Sequence, residues 1–161
     1  MAIHEEKVRS PVVLGLVIGL SLFFLIPFLY LLSGKKLEGA PSAGYFLGLT
    51  VFVLLVGFNF WQLTIRLEVD GLYVGYPVFY HRIPWHEIES CSLLPARSVL
   101  WGGGLHITRR NNTWCWEYAV PGRPRMLVMR KSGKVRAIAF STENPDRILE
   151  LVRTRIGPGG S

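Results

Sequence analysis

Apolar positions fall along this chain in two unlike patterns. From Val12 to Leu32, and again from Tyr45 to Leu63, no charged residue interrupts them. Beyond Leu63 they alternate with polar residues. About 20 apolar residues rising ~1.5 Å each cover a hydrocarbon core roughly 30 Å thick. Each run is therefore long enough to cross a bilayer, and the short link around Gly34–Gly44 makes the two helices antiparallel neighbours. The pattern predicts a short mixed-charge tail over residues 1–11, a transmembrane helical hairpin over 12–63, a polar domain over 64–156 and a flexible tail over 157–161.

Within the hairpin, Gly15 and Gly19 stand four residues apart, and the antiparallel arrangement brings them roughly level with Gly57. Small residues at this spacing let helix backbones approach closely. The expectation is that the closest approach of the two helices involves Gly15 or Gly19. Tyr30, Tyr45 and Trp61 sit at the ends of the runs, where amphipathic rings meet headgroups. A secretory signal is a poor alternative, because the first run exceeds the ~7–15 residues of such a segment and a second span follows.

From Leu63 the period is two. Leu63, Ile65, Leu67 and Val69 alternate with Thr64, Arg66 and Glu68, which predicts a strand with one buried face. Asp70–Gly71 is a hairpin turn, and Leu72–Tyr76 returns until Pro77. Tyr80–Pro84 reads as a turn. Strands follow at His86–Leu94, Leu105–Arg109, Thr113–Ala119, Arg125–Arg130 and Val135–Phe140, separated by Gly, Pro, Asn and Ser clusters. The chain closes with one helix: Asn144 caps it, Pro145 takes its first position, and Ile148, Leu149, Val152 and Ile156 make its apolar face. The fold class is a membrane helical hairpin plus a mainly-β domain of seven antiparallel strands and a C-terminal helix.

Charge adds a direction to this picture. From Arg66 onward there are 14 Arg and Lys against 8 Asp and Glu. Such a domain favours lipid headgroups or acidic partner proteins, and beside a bilayer it meets these rather than nucleic acid. Orientation rests on Lys7, Arg9 and Arg66 against Lys35 and Lys36 in the link, which leans toward a cytoplasmic domain. If the strands form a simple meander leaving the membrane, counting reversals gathers Arg82, Arg109, Arg110, Arg130, Lys131 and Lys134 at the membrane-proximal end. Anionic headgroups or an acidic partner would bind there.

Candidate chemistry is sparse. His86–Glu87 begins like a zinc-protease signature, but Ser90 stands where the second His is required. Gly102–Gly104 lacks the Lys–Ser/Thr of a phosphate loop. Cys91 and Cys115 lie in strand-like runs, as buried thiols or as a cross-strand pair. Trp114, Trp116 and Tyr118 share one strand face among arginines, an arrangement that serves core packing or base stacking. No catalytic constellation, metal site or cofactor site is predicted.

Several segments together carry a resemblance. Arg82–Ser90, RIPWHEIES, is followed by GGGL at Gly102–Leu105, by the Trp-bearing strand of Trp114 and Trp116, and by the basic hairpin RKSGKVRAIAF. STENPDRILELV then opens the last helix at a proline. This series resembles bacterial pleckstrin-homology-like (PH-like) domains over about Leu63–Ile156, and members of that family often carry two N-terminal spans. The resemblance implies seven strands in two bent antiparallel sheets capped by one helix. It also implies a non-enzymatic, membrane-anchored module that binds proteins or lipids. Phosphoinositide-binding members place a basic signature on the first hairpin, where this chain has the acidic Asp70–Gly71. The expected role is an accessory or scaffold subunit held to an integral membrane partner or to a second copy. A direct anionic-lipid sensor is the alternative, and a small membrane enzyme using His86, Glu87 or Cys91 is the reading from another class.

Overall fold

The computed structural model describes residues 2–34, 41–96, 103–110, 113–133 and 135–156, with only the backbone of Ala2 and Arg110. The chain divides into two compact units, one of Pro11–Trp61 and one combining the segment up to Ser10 with everything from Gln62 onward.

The first unit is a pair of helices, α1 (Pro11–Leu32) and α2 (Ala43–Phe60), both long and apolar enough to cross a membrane. At ~1.5 Å per residue they measure roughly 33 and 27 Å. In α1 the half-buried positions include Leu14, Val17, Ser21, Phe24 and Phe28, which follow the three-then-four spacing of one helix face. In α2, Thr50 and Gly57 are buried, and the Thr50 hydroxyl donates to the carbonyl of Phe46 at 2.9 Å. That bond satisfies its polar group without leaving the helix. Of the glycines described in the two helices, Gly57 is the one packed against the other helix: a Cβ there would lie 2.2 Å from a methyl of Val17. Gly15 and Gly19 have nothing within 4 Å of theirs and are exposed. This corrects the expectation that either glycine makes the contact. Two residues of helix turn Val17 about 200° from Gly15, so when Val17 faces α2 the two glycines face away from it.

The second unit holds nine strands among the described residues. Its first sheet, sheet A, contains β1 (Ala2–Arg9), β2 (Gln62–Glu68), β3 (Gly71–Gly75) and β4 (Tyr80–Pro84) in that order, each antiparallel to the next. Leu63, Ile65 and Leu67 are buried on the inner face. The hairpin at Asp70 needs Gly71, because a Cβ there would lie 2.4 Å from the carbonyl oxygen of Ile83 on β4. Two segments depart from expectation. The N-terminal tail is a strand, with Glu6, Val8 and Ser10 buried at every second position. Tyr80–Pro84 is a strand too, buried at Ile83. The second apolar run also stops being helical at Phe60, and Leu63 belongs to the core of sheet A.

A 3-10 turn (Trp85–Glu87) leads into sheet B: β5 (Ile88–Leu94), β6 (Gly104–Arg110), β7 (Thr113–Ala119), β8 (Arg125–Arg130) and β9 (Ala137–Ser141). Its order is β5-β8-β9-β7-β6. A meander would pair β7 with β8; instead β9 lies between them, parallel to β7 and antiparallel to β8. All five residues of β9 are buried, as suits a central strand covered on both faces. Ile138 and Phe140 point to the inner face with Tyr118, Met126 and Val128, all fully or nearly fully buried. Ala137 and Ala139 point the other way with Cys115. The helix α3 (Pro145–Ile156) buries Ile148 and Val152 against β5. Asp146 in its first turn and Arg153 and Arg155 in its last complement the helix dipole. Two apolar helices, two mostly antiparallel sheets and a C-terminal helix thus make up the chain.

Candidate functional site

Strand register decides where the basic residues go. Pairing of Arg9 with Gln62 marks the end of sheet A at which the chain leaves for α1 and returns from α2. Asp70 marks the opposite end. Arg82 sits near that opposite end, bonded to Glu68 at 3.2 Å and to Asp70. Trp85 closes the same corner: its N–H donates to the Asp70 carbonyl at 3.3 Å and its indole to the Glu68 carbonyl at 3.0 Å. Beside it, the Arg130 guanidinium holds the Glu87 carboxylate, with Nε at 3.2 Å. Arg130 holds the Glu87 carboxyl below the usual carboxylate range. The Lys131 N–H donates to the Glu87 carbonyl at 2.8 Å, leaving its side chain exposed.

In sheet B the end of β8, the start of β9, the end of β6 and the start of β7 lie together, since β9 pairs antiparallel with β8 and parallel with β7, and β6 pairs antiparallel with β7. Arg109 is exposed there, in register with Trp114, and Arg110 is in register with Thr113. Register therefore brings Arg109, Arg110, Arg130 and Lys131 to one end of sheet B, with Arg82 beside the 3-10 turn that leads into it. This is the Asp70 end, not the Gln62 end. The meander count is corrected by one strand: β4 adds a reversal that a turn at Tyr80–Pro84 would not. Lys134, Asn111, Asn112 and the link lysines Lys35 and Lys36 lie outside the described residues.

Sequence reasoning also passed over how the aromatic face of β7 is graded. Tyr118 is fully buried and Trp116 half-buried, whereas Trp114 is 55% exposed. Ile107, opposite Trp116, is 54% exposed. The basic end thus carries an exposed Trp and Ile beside Arg109 on one face. Equal spacing in sequence hides this gradient, because it depends on how far the first sheet reaches over β7.

At the inner end of the same face, the His81 ring meets Trp116 edge-on at 4.8 Å, and its Nδ1 shares a hydrogen bond with the Tyr118 hydroxyl. Burial, with a smaller contribution from Arg130, lowers the His81 pKa; burial raises that of Tyr118. With the Tyr118 hydroxyl donating, neutral His81 accepts. A folded-state pKa below the unfolded value of ~6.5 means that protons bind the unfolded chain more tightly. Stability contributed here is complete above about pH 6.5 and falls as pH drops toward the folded pKa. We expect the melting temperature of the detergent-solubilised chain to fall between about pH 7.5 and 5.5, and His81→Gln to remove part of that fall. An equal fall in the variant would refute the assignment.

The residues considered for catalysis do not converge. Cys91 points to the inner face and Cys115 to the outer one, so the two thiols are not a cross-strand pair; both are buried and not joined in a disulfide. Burial pushes the Cys91 thiol up to about 12, which keeps it protonated at neutral pH. Glu87 is engaged by Arg130, and His86 is exposed in the 3-10 turn. Among the described residues no cluster of His, Cys, Asp and Glu could hold a metal ion.

No family model, curated protein or solved structure matches the chain.

Two polar devices were not visible in sequence. Glu117 and Arg125 form a buried ion pair across the outer face of β9. Glu6 of β1 accepts hydrogen bonds from Thr142, 136 residues away. Alternation of small residues in Ala137–Ser141 is the one sequence signal for the first, since only small side chains leave room for an arginine to cross the strand.

Proposed function

We infer that this chain is a non-enzymatic, membrane-anchored binding module of PH-like type, acting as an accessory or scaffold subunit of a membrane protein complex, with its β domain in the cytoplasm. The observation that carries this reading is the exposed Trp114 with Ile107 beside Arg109, at the basic end of sheet B. Trp and Arg are enriched among residues that anchor interfaces, and an exposed apolar cluster rimmed by charge marks an interaction surface. The PH-like part of the reading draws on the quoted sequence segments and on the combination of two sheets with a C-terminal helix. The β9 insertion departs from a simple meander. Only one residue separates β1 from α1 and one separates α2 from β2, so sheet A begins within ~7 Å of chain from each helix end. The basic end is the end of the domain away from these joints. That position favours an acidic face of a membrane protein partner over the anchoring bilayer as its ligand, and so the subunit role over the lipid sensor.

Purification of the tagged chain from native membranes in mild detergent tests this. A stoichiometric integral membrane partner is expected, lost when Trp114→Ala and Arg109→Glu are combined, and retained when His86, Glu87 and Cys91 are each replaced by Ala. Recovery of the chain alone would refute the subunit role, and salt-sensitive binding to anionic liposomes through the same residues would replace it with lipid sensing.

A further inference from the structure

The end of sheet A at which the chain leaves for α1 and returns from α2 carries its own exposed apolar element. Between β3 and β4 the chain makes a tight turn, closed by the Tyr76 N–H donating to the Phe79 carbonyl at 2.8 Å. Val78 is 67% exposed, Phe79 44% and Tyr80 57%. A soluble domain gains nothing from presenting three large apolar side chains in succession, and such a tip marks a membrane or protein contact.

Its level in the sheet says which. Thr64 pairs with Gly75 and Gly75 with Tyr80. Continuing the first pairing by two residues puts Pro77 level with Gln62, the first residue of β2 after α2. The turn is one to two strands from β2, or ~5–10 Å sideways. Lys7 lies in the same cross-strand row, and Arg9 pairs with Gln62. Both are exposed, and they give this end cations to set against anionic headgroups. Tyr80, the first residue of β4, packs over Gly75 and stacks on Tyr73 at 5.1 Å. An apolar tip with a flanking tyrosine and nearby cations is the composition that settles at a headgroup boundary.

We propose that the turn Pro77–Tyr80 is a third membrane contact of this chain, with Val78 and Phe79 entering the bilayer interface beside the two helices. The contact adds an attachment made by the β domain itself to that of the two helices. The proposal rests on α1 and α2 spanning the bilayer, and its test separates the two claims.

The full chain is placed in nanodiscs of phosphatidylcholine and phosphatidylglycerol with an environment-sensitive fluorophore on a single new cysteine: Val78→Cys, Asp70→Cys or Phe52→Cys. The native thiols are buried, and the unsubstituted chain serves as the labelling control. Lipids carrying a nitroxide just below the headgroup should quench the probe at 78 several-fold more than the probe at 70. Lipids with a deep nitroxide should quench the probe at 52, which is exposed in the middle of α2. Quenching at 52 with no excess at 78 over 70 would overturn the turn's role and leave the spans standing. No quenching at 52 would overturn both. A probe at 78 shielded from aqueous iodide but not reached by nitroxide lipid would assign the turn to a protein surface and overturn the proposal.

Discussion

Replacing Glu117 by Gln is expected to lower the stability of the β domain by about 3 kcal/mol, more than any surface substitution in this chain. The Glu117 side chain is 7% exposed and that of Arg125 12%, and the guanidinium Nη1 donates to the carboxylate while Nε donates to the Pro95 carbonyl at 3.0 Å. The register explains how two residues on non-adjacent strands meet. Glu117 of β7 is opposite Ala139 of β9, and Arg125 of β8 is opposite Ser141 of β9. Both β9 side chains are small, so the arginine crosses β9 without obstruction. Taking two charges out of water costs several kcal/mol per ion, and their mutual attraction offsets this only while both are present. Removal of one charge strands the other, which costs about 3–5 kcal/mol. For a domain of this size about 3 kcal/mol is a fall in melting temperature of more than ~10 °C. The double variant Glu117→Met with Arg125→Met removes both charges, and should lie within about 1 kcal/mol of the parent. A thermal melt of the solubilised chain reads both. If the double variant were as unstable as the single one, packing rather than the stranded charge would be the cause.

That pair shows where the sequence was legible and where it was not. Patterns that are local and periodic came through: the two uncharged runs, the alternation of Leu63–Leu67 ahead of Asp70–Gly71, and the capped helix after Asn144. Each is set within a dozen residues, by hydrophobic period or turn chemistry. Pairing between distant strands leaves no such mark. The run Ala137–Ser141 is short and apolar, which fits a strand buried on both faces, yet nothing in it says that its neighbours are β7 and β8. Tyr80–Pro84 was obscured because prolines at 77 and 84 bracket only six residues, and missing that strand inverted the end assigned to Arg130 and Lys131. The basic residues illustrate the same limit. A count of charges treats all of them as available, whereas Arg82 and Arg130 are held by Glu68, Asp70 and Glu87. Trp114 gave the opposite error: an alternating aromatic suggests a core position, but the cover ends before it.

The N-terminal segment is the sharpest case, because two adjacent glutamates there should behave differently. Glu5 is exposed, with Lys7 at 3.2 Å and Arg66 at 3.3 Å, and Lys7 chiefly holds its carboxyl below the ordinary range. Glu6 is 8% exposed and faces inward. Its carboxylate accepts the Thr142 hydroxyl at 3.0 and 2.9 Å and the Glu143 N–H, while the Thr142 oxygen accepts the Asn144 N–H at 3.1 Å. This chain of bonds ends at the residue whose carbonyl opens α3 by accepting from the Ile148 N–H at 3.1 Å. Glu6 thus joins the strand before the first apolar helix to the last helix of the domain. Hydrogen bonds to a charged group contribute about 1.5–3 kcal/mol, and a buried donor left without its acceptor costs about 1–3 kcal/mol. Glu6→Ala leaves two donors in that state, so a loss of about 3 kcal/mol is expected; Glu6→Gln keeps one acceptor and should lose less. Glu5→Ala exchanges an exposed, solvent-screened pair for water and should change little. Hydrogen exchange locates the effect: amides of α3 and of β1 should lose protection in Glu6→Ala, while those of β9, buried in the centre of sheet B, keep most of theirs. Equal effects of Glu5→Ala and Glu6→Ala, or a loss spread evenly over the whole domain, would show that β1 does not hold α3 in this way.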